Sequence, residues 1–137
     1  MNLNGKFINS KKGNSPHYIP PLKIEDKNVL NNLHKRVEYH KTWSHIRQIL
    51  NFGDELIGVV YSEPDGKKIY LDLYDTALNY ITGDIQLPEY VGGSAGLLVK
   101  ENFLYLLQGS KLLLKEKLSN PSIDVFKLKK PQDIQKF

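Results

Sequence analysis

The sequence predicts an all-β chain: β-propeller blades, about three of them in an incomplete ring, each a four-stranded antiparallel meander. Three observations carry this. From residue 46 onward, short apolar runs rich in β-branched and aromatic residues follow one another. Gly, Pro, Asn and Asp separate them, with no helical periodicity in between. One strand–loop–strand unit also occurs twice, at an offset of roughly 45 to 52 residues, the length of a propeller blade.

Taken in order, residues 1–45 read as an irregular N-terminal segment carrying part of a blade. Lys6 to Asn9 suggests a short strand, Ser10 to Pro16 is turn-rich, and Pro20-Pro21 forces extended backbone. Asp26 to Asn32 reads as a polar loop, in which Val29, Leu30 and Leu33 allow a helical turn. Lys35 to Tyr39 reads as another strand.

Residues 46–90 read as a complete blade. Ile46 to Leu50 is its first strand, and Asn51-Phe52-Gly53-Asp54 turns the chain. Leu56 to Tyr61 is apolar on both faces, as a strand covered on two sides requires. Glu63-Pro64-Asp65-Gly66 has the Asp-Gly hairpin signature. Lys68 to Tyr74 alternates, with Ile69, Leu71 and Leu73 on one face and Tyr70, Asp72 and Tyr74 on the other. Tyr80 to Leu87 is the fourth strand, its wetter face carrying Thr82, Asp84 and Gln86, and Pro88 ends it.

Gly92 to Gly96 reads as a connector, and residues 97–130 as the last blade. Its strands are Leu97 to Val99, Phe103 to Leu107 and Ile123 to Leu128. The repeat is visible in the phrase apolar-Asp-apolar-aromatic, which is Leu71-Asp72-Leu73-Tyr74 in one copy and Ile123-Asp124-Val125-Phe126 in the other. A lone blade cannot bury both faces, so blades recur. Short strands at this spacing would also suit a small barrel or sandwich.

The runs from Gly53 to Glu89 and from Gly96 to Lys130 resemble the uncharacterised bacterial six-bladed, TolB-like propeller proteins. The resemblance covers about residues 46 to 130 and rests on strand pattern, with no invariant motif. It implies a six-bladed parent ring, usually exported and often lipid-anchored. This chain departs from it in having room for about three blades and in lacking an apolar signal core at its start. It therefore reads as a C-terminal portion of a propeller, with its compartment open.

Composition narrows the chemistry. The 137 residues contain no cysteine, which excludes disulfides, thiolate metal sites and a Cys nucleophile. The net charge of +4 is mild. The lysines at 111, 115, 117, 127, 129 and 130 have sparse aromatic interleaving, so they read as a solvated face more than as a nucleic-acid site. No apolar run has the length of a membrane span.

His34, His40 and His45 stand at spacings that match no helical zinc site, and on an extended chain His34 and His40 would share a face. Neither a metal nor a cofactor is expected. Asp72 and Asp124 occupy the same place in the repeat, which favours a structural role over catalysis; Asp75 and Asp84 complete the nearby carboxylates. Gly92 to Gly96 lacks the Lys-Ser/Thr of a phosphate loop, and no Gly-x-Ser-x-Gly elbow occurs.

The expectation is thus a non-enzymatic binding or scaffold module for a protein or small molecule. Propeller architecture would place its ligand-binding residues on loops at one end, giving His40, Trp43, His45, Arg47, Glu63 and Tyr90. The alternatives are a lactonase-like propeller hydrolase or lyase, and a half-ring whose homodimer completes the circle.

Overall fold

A computed structural model describes residues 10, 13, 15–88, 96–108 and 122–129. The chain is mostly β, with two open antiparallel sheets. The first has strands β1 (His45–Phe52), β2 (Leu56–Ser62), β3 (Ile69–Asp75) and β4 (Tyr80–Leu87), in the order β1-β2-β3-β4. The second has β5 (Leu97–Lys100), β6 (Phe103–Gln108) and β7 (Ser122–Lys127), in the order β5-β6-β7. Both are meanders, each strand pairing with the next one in the chain.

The turns follow the chemistry of their residues. Between β2 and β3, Asp65 and Gly66 both take positive φ, 75° and 77°, in a 3-10 turn over Pro64–Gly66. Paired left-handed residues match the twist of a hairpin, which is why Asp-Gly sits here. Glu101 adopts φ 56° between β5 and β6.

Strand alternation sends the side chains of the first sheet to two different surroundings. Leu50, Phe52, Leu56, Val60, Leu71, Leu73 and Leu87 join Leu97, Leu104 and Leu106 of the second sheet in one core. The two sheets therefore stack through this face, and they approach most closely where β1 meets β5. Gly58 lies within this face because a Cβ there would come 2.7 Å from the Phe52 ring and 3.0 Å from Leu71. The far face carries Val59, Tyr61, Tyr70, Asp72 and Tyr74, and the N-terminal segment crosses it. β2 is thus covered on both sides, as its apolar composition requires.

The N-terminal part departs from expectation. The strand expected over Lys35–Tyr39 is a helix, α2 (Leu33–His40), preceded by the single turn α1 (Asn28–Asn31). Asn32 caps α2 by accepting a hydrogen bond from the Lys35 N–H at 3.1 Å, and Lys41 pairs with Glu38 at 3.0 Å. Lys, Arg and Glu favour helix, and Val37 is the single β-branched residue of α2. A polar octapeptide with a good cap needs no buried face to begin a helix, so apolar periodicity misses it.

No helix among the described residues is long and apolar enough to cross a membrane. The expectations for Lys6–Asn9, most of the Gly92–Gly96 connector, the basic stretch Lys111–Lys117 and the tail after Pro131 lie outside the described residues.

Candidate functional site

Two side-chain groups stand out, at different places on the first sheet. The first is the group expected from sequence. Ser44 is fully buried and ties the strand entry to the N-terminal segment: its Oγ accepts from the Ile19 N–H at 2.9 Å, and its own N–H donates to Ile19 O at 2.8 Å. This anchor gathers the rings around it. Trp43 and His45 lie 4.0 Å apart between centroids, His40 and Trp43 5.7 Å, and His40 and His45 5.8 Å. Nε2 of His45 bonds the His40 carbonyl at 2.7 Å. The Nε1 of Trp43 is buried with no partner among the described residues.

Arg47 and Glu63 flank the same end of the sheet, because His45 pairs with Ser62 across the ladder. Arg47 Nε donates to Ser62 Oγ at 3.2 Å, and Glu63 accepts from the Tyr70 hydroxyl at 3.0 Å. A register shift between Ile46 and Gln48 marks a bulge at Arg47. Of the six expected residues, the structure brings His40, Trp43 and His45 together and sets Arg47 and Glu63 beside Ser62. Tyr90 lies outside the described residues. The expected sharing of a face by His34 and His40 fails, because α2 is helical and the ring that meets His40 is that of His45. Among the described residues, no group of three or more His, Asp or Glu is placed to hold a metal.

The second group lies on the far face around Asp72, the residue whose place in the repeat favours a structural role over catalysis. Asp72 is fully buried. The Ser15 hydroxyl donates to one carboxylate oxygen, and the Asp84 N–H approaches the other at 3.4 Å. β4 accommodates Asp72 through irregular pairing on either side of Leu73, with Asp84 at φ 59°. Gly83 is required there: a Cβ would collide with Asp72 Oδ1 and with the Tyr80 hydroxyl. Burial raises the Asp72 carboxyl above the usual carboxylate range, against the lowering by Ser15 and the Asp84 N–H. Its repeat counterpart Asp124 is exposed, so the shared position in the repeat does not give the two a shared environment.

Tyrosines surround this carboxylate. Tyr61 and Tyr70 stack at 5.6 Å, and Tyr18 meets Tyr61 edge-on at 5.7 Å. His17 stacks on Tyr70 at 4.5 Å and 8°, and its Nε2 lies 3.4 Å from Asp84. Burial, then the nearby Asp72 and Asp84, push the Tyr61 phenol far above its ordinary range. Burial, followed by Asp72 and Asp84, also raises the Tyr80 phenol. The Tyr61 hydroxyl is buried and meets no partner among the described residues.

No family model matches the chain. No curated protein and no solved structure matches it either. Its chemistry therefore has to be read from the geometry.

That geometry does not form a catalytic relay. Ser15 is bonded to Asp72, while His17 is paired with Asp84, so the hydroxyl and the imidazole serve two different carboxylates. A nucleophile needs its base within hydrogen-bond reach and the base oriented by a third group. Here Ser15 and His17 instead tie the N-terminal segment onto the sheet. Beside them lies an open cleft of about 370 Å³, lined chiefly by Tyr18, Pro20, Ile46, Val59, Tyr61 and Tyr74, with Gly13 and Ser15 at its side.

Proposed function

We propose that the chain is a propeller-type binding module, its two sheets being successive blades, and that it binds a ligand without transforming it. The observation that carries this is the direction in which the repeat stacks. In the first sheet the cross-strand pair Val59–Asp72 lies on the face away from the second sheet. The repeat counterpart, Leu106–Asp124, belongs to the face of the second sheet turned toward the first, where Leu104 and Leu106 are buried. Corresponding faces thus point the same way along the stack. This is a head-to-tail arrangement, which continues into a ring or an open array; an isologous sandwich would set like faces together. The close approach of the first strands, β1 and β5, accords with wedge-like blades around an axis. The TolB-like resemblance belongs to the same proposal.

Ligand contact is assigned to the His40–Trp43–His45 group with Arg47 and Glu63. Trp43 is the single tryptophan of the chain, so its emission reports on that end. Titration with amino acids, short peptides and γ-lactones is expected to give a saturable emission change with one of them, lost in Arg47→Ala and His45→Ala, with the compound recovered intact. Turnover of a lactone abolished by one of these substitutions would favour the hydrolase reading.

A specific observation favours assembly as the second reading. The outer face of the second sheet exposes Leu98, Ile123 and Val125 at 63%, 62% and 53%. In the repeat this is the counterpart of the core face of the first sheet, where Leu71 and Leu73 are buried. Light scattering is expected to show a dimer that Val125→Lys dissociates. A monomer at high concentration refutes this reading.

A further inference from the structure

If copies of the chain assemble through the outer face of the second sheet, some surface must receive that face. The ladders identify it row by row, since residues directly opposite each other share a face. Across the second sheet, Leu98 pairs with Tyr105 and Tyr105 with Val125. Aligned on Asp72 and Asp124, the same place in the first sheet is the row Leu50, Gly58 and Leu73. Leu50 and Leu73 are 4% exposed in the core, whereas Leu98 and Val125 are 63% and 53% exposed. The Phe52 ring lies over Gly58, and Tyr105 carries a ring of its own at that place.

The next row has the opposite role. Leu97, Leu106 and Asp124 form a row of the inner face, and Leu97 and Leu106 are buried in the core shared with the first sheet. Their counterparts are Ile49, Val59 and Asp72, on the far face of the first sheet. There Ile49 is 70% exposed and Val59 half-buried. Each outward face of the chain thus repeats one of the two faces that meet inside it. The N-terminal segment lies over Asp72, Tyr70 and Tyr61, which leaves Ile49 on β1 open. β1 is also where the first sheet comes closest to the second, through β5, the strand that carries Leu98.

We propose that a second copy of this chain docks head to tail, the Leu98–Val125 face of one copy on the Ile49–Val59 face of the next. A second copy is the occupant because it carries the surface whose counterpart already packs against this one within the chain. The contact is heterologous, so it needs two different patches, one from each copy. It rests on the assembly reading above and adds the receiving face to it.

Sedimentation velocity on the full chain tests it, with Val125→Lys and Ile49→Lys as variants. Both positions are exposed, so thermal melts at low concentration should match the parent. The parent is expected to run as a dimer or a longer array, and each variant as a monomer. Leu98→Lys repeats the test on the donor face. An equimolar mixture of Val125→Lys and Ile49→Lys should recover a heterodimer, since each keeps the patch that the other lacks. Leu33→Lys, which alters an apolar residue 67% exposed on α2, should assemble like the parent. If Val125→Lys dissociates the assembly and Ile49→Lys does not, or if the mixture stays monomeric, the head-to-tail docking is overturned while self-association through the second sheet stands. A parent that is monomeric at high concentration overturns both.

Discussion

Tyr61→Phe makes a sharp prediction. The residue is 1% exposed and its hydroxyl has no partner among the described residues. An unsatisfied buried polar group costs about 1–3 kcal/mol, whereas a formed hydrogen bond contributes roughly 0.5–1.5 kcal/mol. Removing the oxygen relieves the first cost and forfeits nothing of the second. Shrinkage of the side chain by one atom takes back part of the gain, so a net stabilisation of about 1 kcal/mol is expected. For a domain of this size that is a rise in Tm of roughly 3–5 °C. The control is next door: Tyr70 pairs directly with Tyr61 across the ladder, and its hydroxyl donates to Glu63 at 3.0 Å. Tyr70→Phe should therefore destabilise by about 1 kcal/mol. Urea unfolding of the two variants at neutral pH reads both signs in one experiment. If Tyr61→Phe lowers stability by as much as Tyr70→Phe does, the Tyr61 hydroxyl is bonded in solution and the reasoning fails.

Other expectations follow from the same face and its neighbours. Asp72 has a carboxyl raised above its ordinary 3.8, so the folded state binds its proton more tightly than the unfolded state. Its charged form therefore costs stability at neutral pH, and that cost disappears as pH falls through the raised value toward 3.8. Asp72→Asn should be more stable than the parent at pH 7, with the difference narrowing in denaturation curves toward pH 4. Gly83→Ala should lose about 1–3 kcal/mol, because its Cβ meets Asp72 and Tyr80 below contact distance, and the loss should be smaller in an Asp72→Ala background. Asn32→Ala should cost α2 about 1 kcal/mol, read as faster amide exchange over residues 33–40 with the strands unchanged. Paired Ser15→Ala and His17→Ala should release the N-terminal segment, making it more sensitive to proteolysis while the core melts as a unit.

Much of the β architecture was legible because strands report themselves locally. β4 spans Tyr80–Leu87 as its pattern indicates, and β3 divides Ile69, Leu71 and Leu73 from Tyr70, Asp72 and Tyr74 as its alternation requires. The helix at Leu33–His40 was not legible, since its stability comes from a cap and polar helix formers and none of its residues is buried. The grouping of Trp43 with His45 could be read, because the two are close in sequence. The Asp72 cluster could not: Ser15 lies 57 residues away, and nothing in an alternating strand says which segment will cross its polar face. The tyrosines did carry a signal, since the buried Tyr61 and Tyr70 and the half-buried Tyr74 sit opposite the leucines in two adjacent strands. An aromatic face on a doubly covered sheet invites a search for what covers it.

The irregular ladders of the first sheet bear on how this protein avoids sticking to itself. Both outer strands of that sheet are broken in register, β1 at Arg47 and β4 around Asp72. An edge that twists and skips a residue is a poor template for an incoming strand. β7 has no such break: all six of its residues are exposed, and its ladder to β6 runs in register throughout. Its Asp124 and Lys127 are then the charges left to discourage strand addition, as gatekeepers do. Neutralising them should make the chain aggregate from the second sheet, with the first sheet intact inside the deposit.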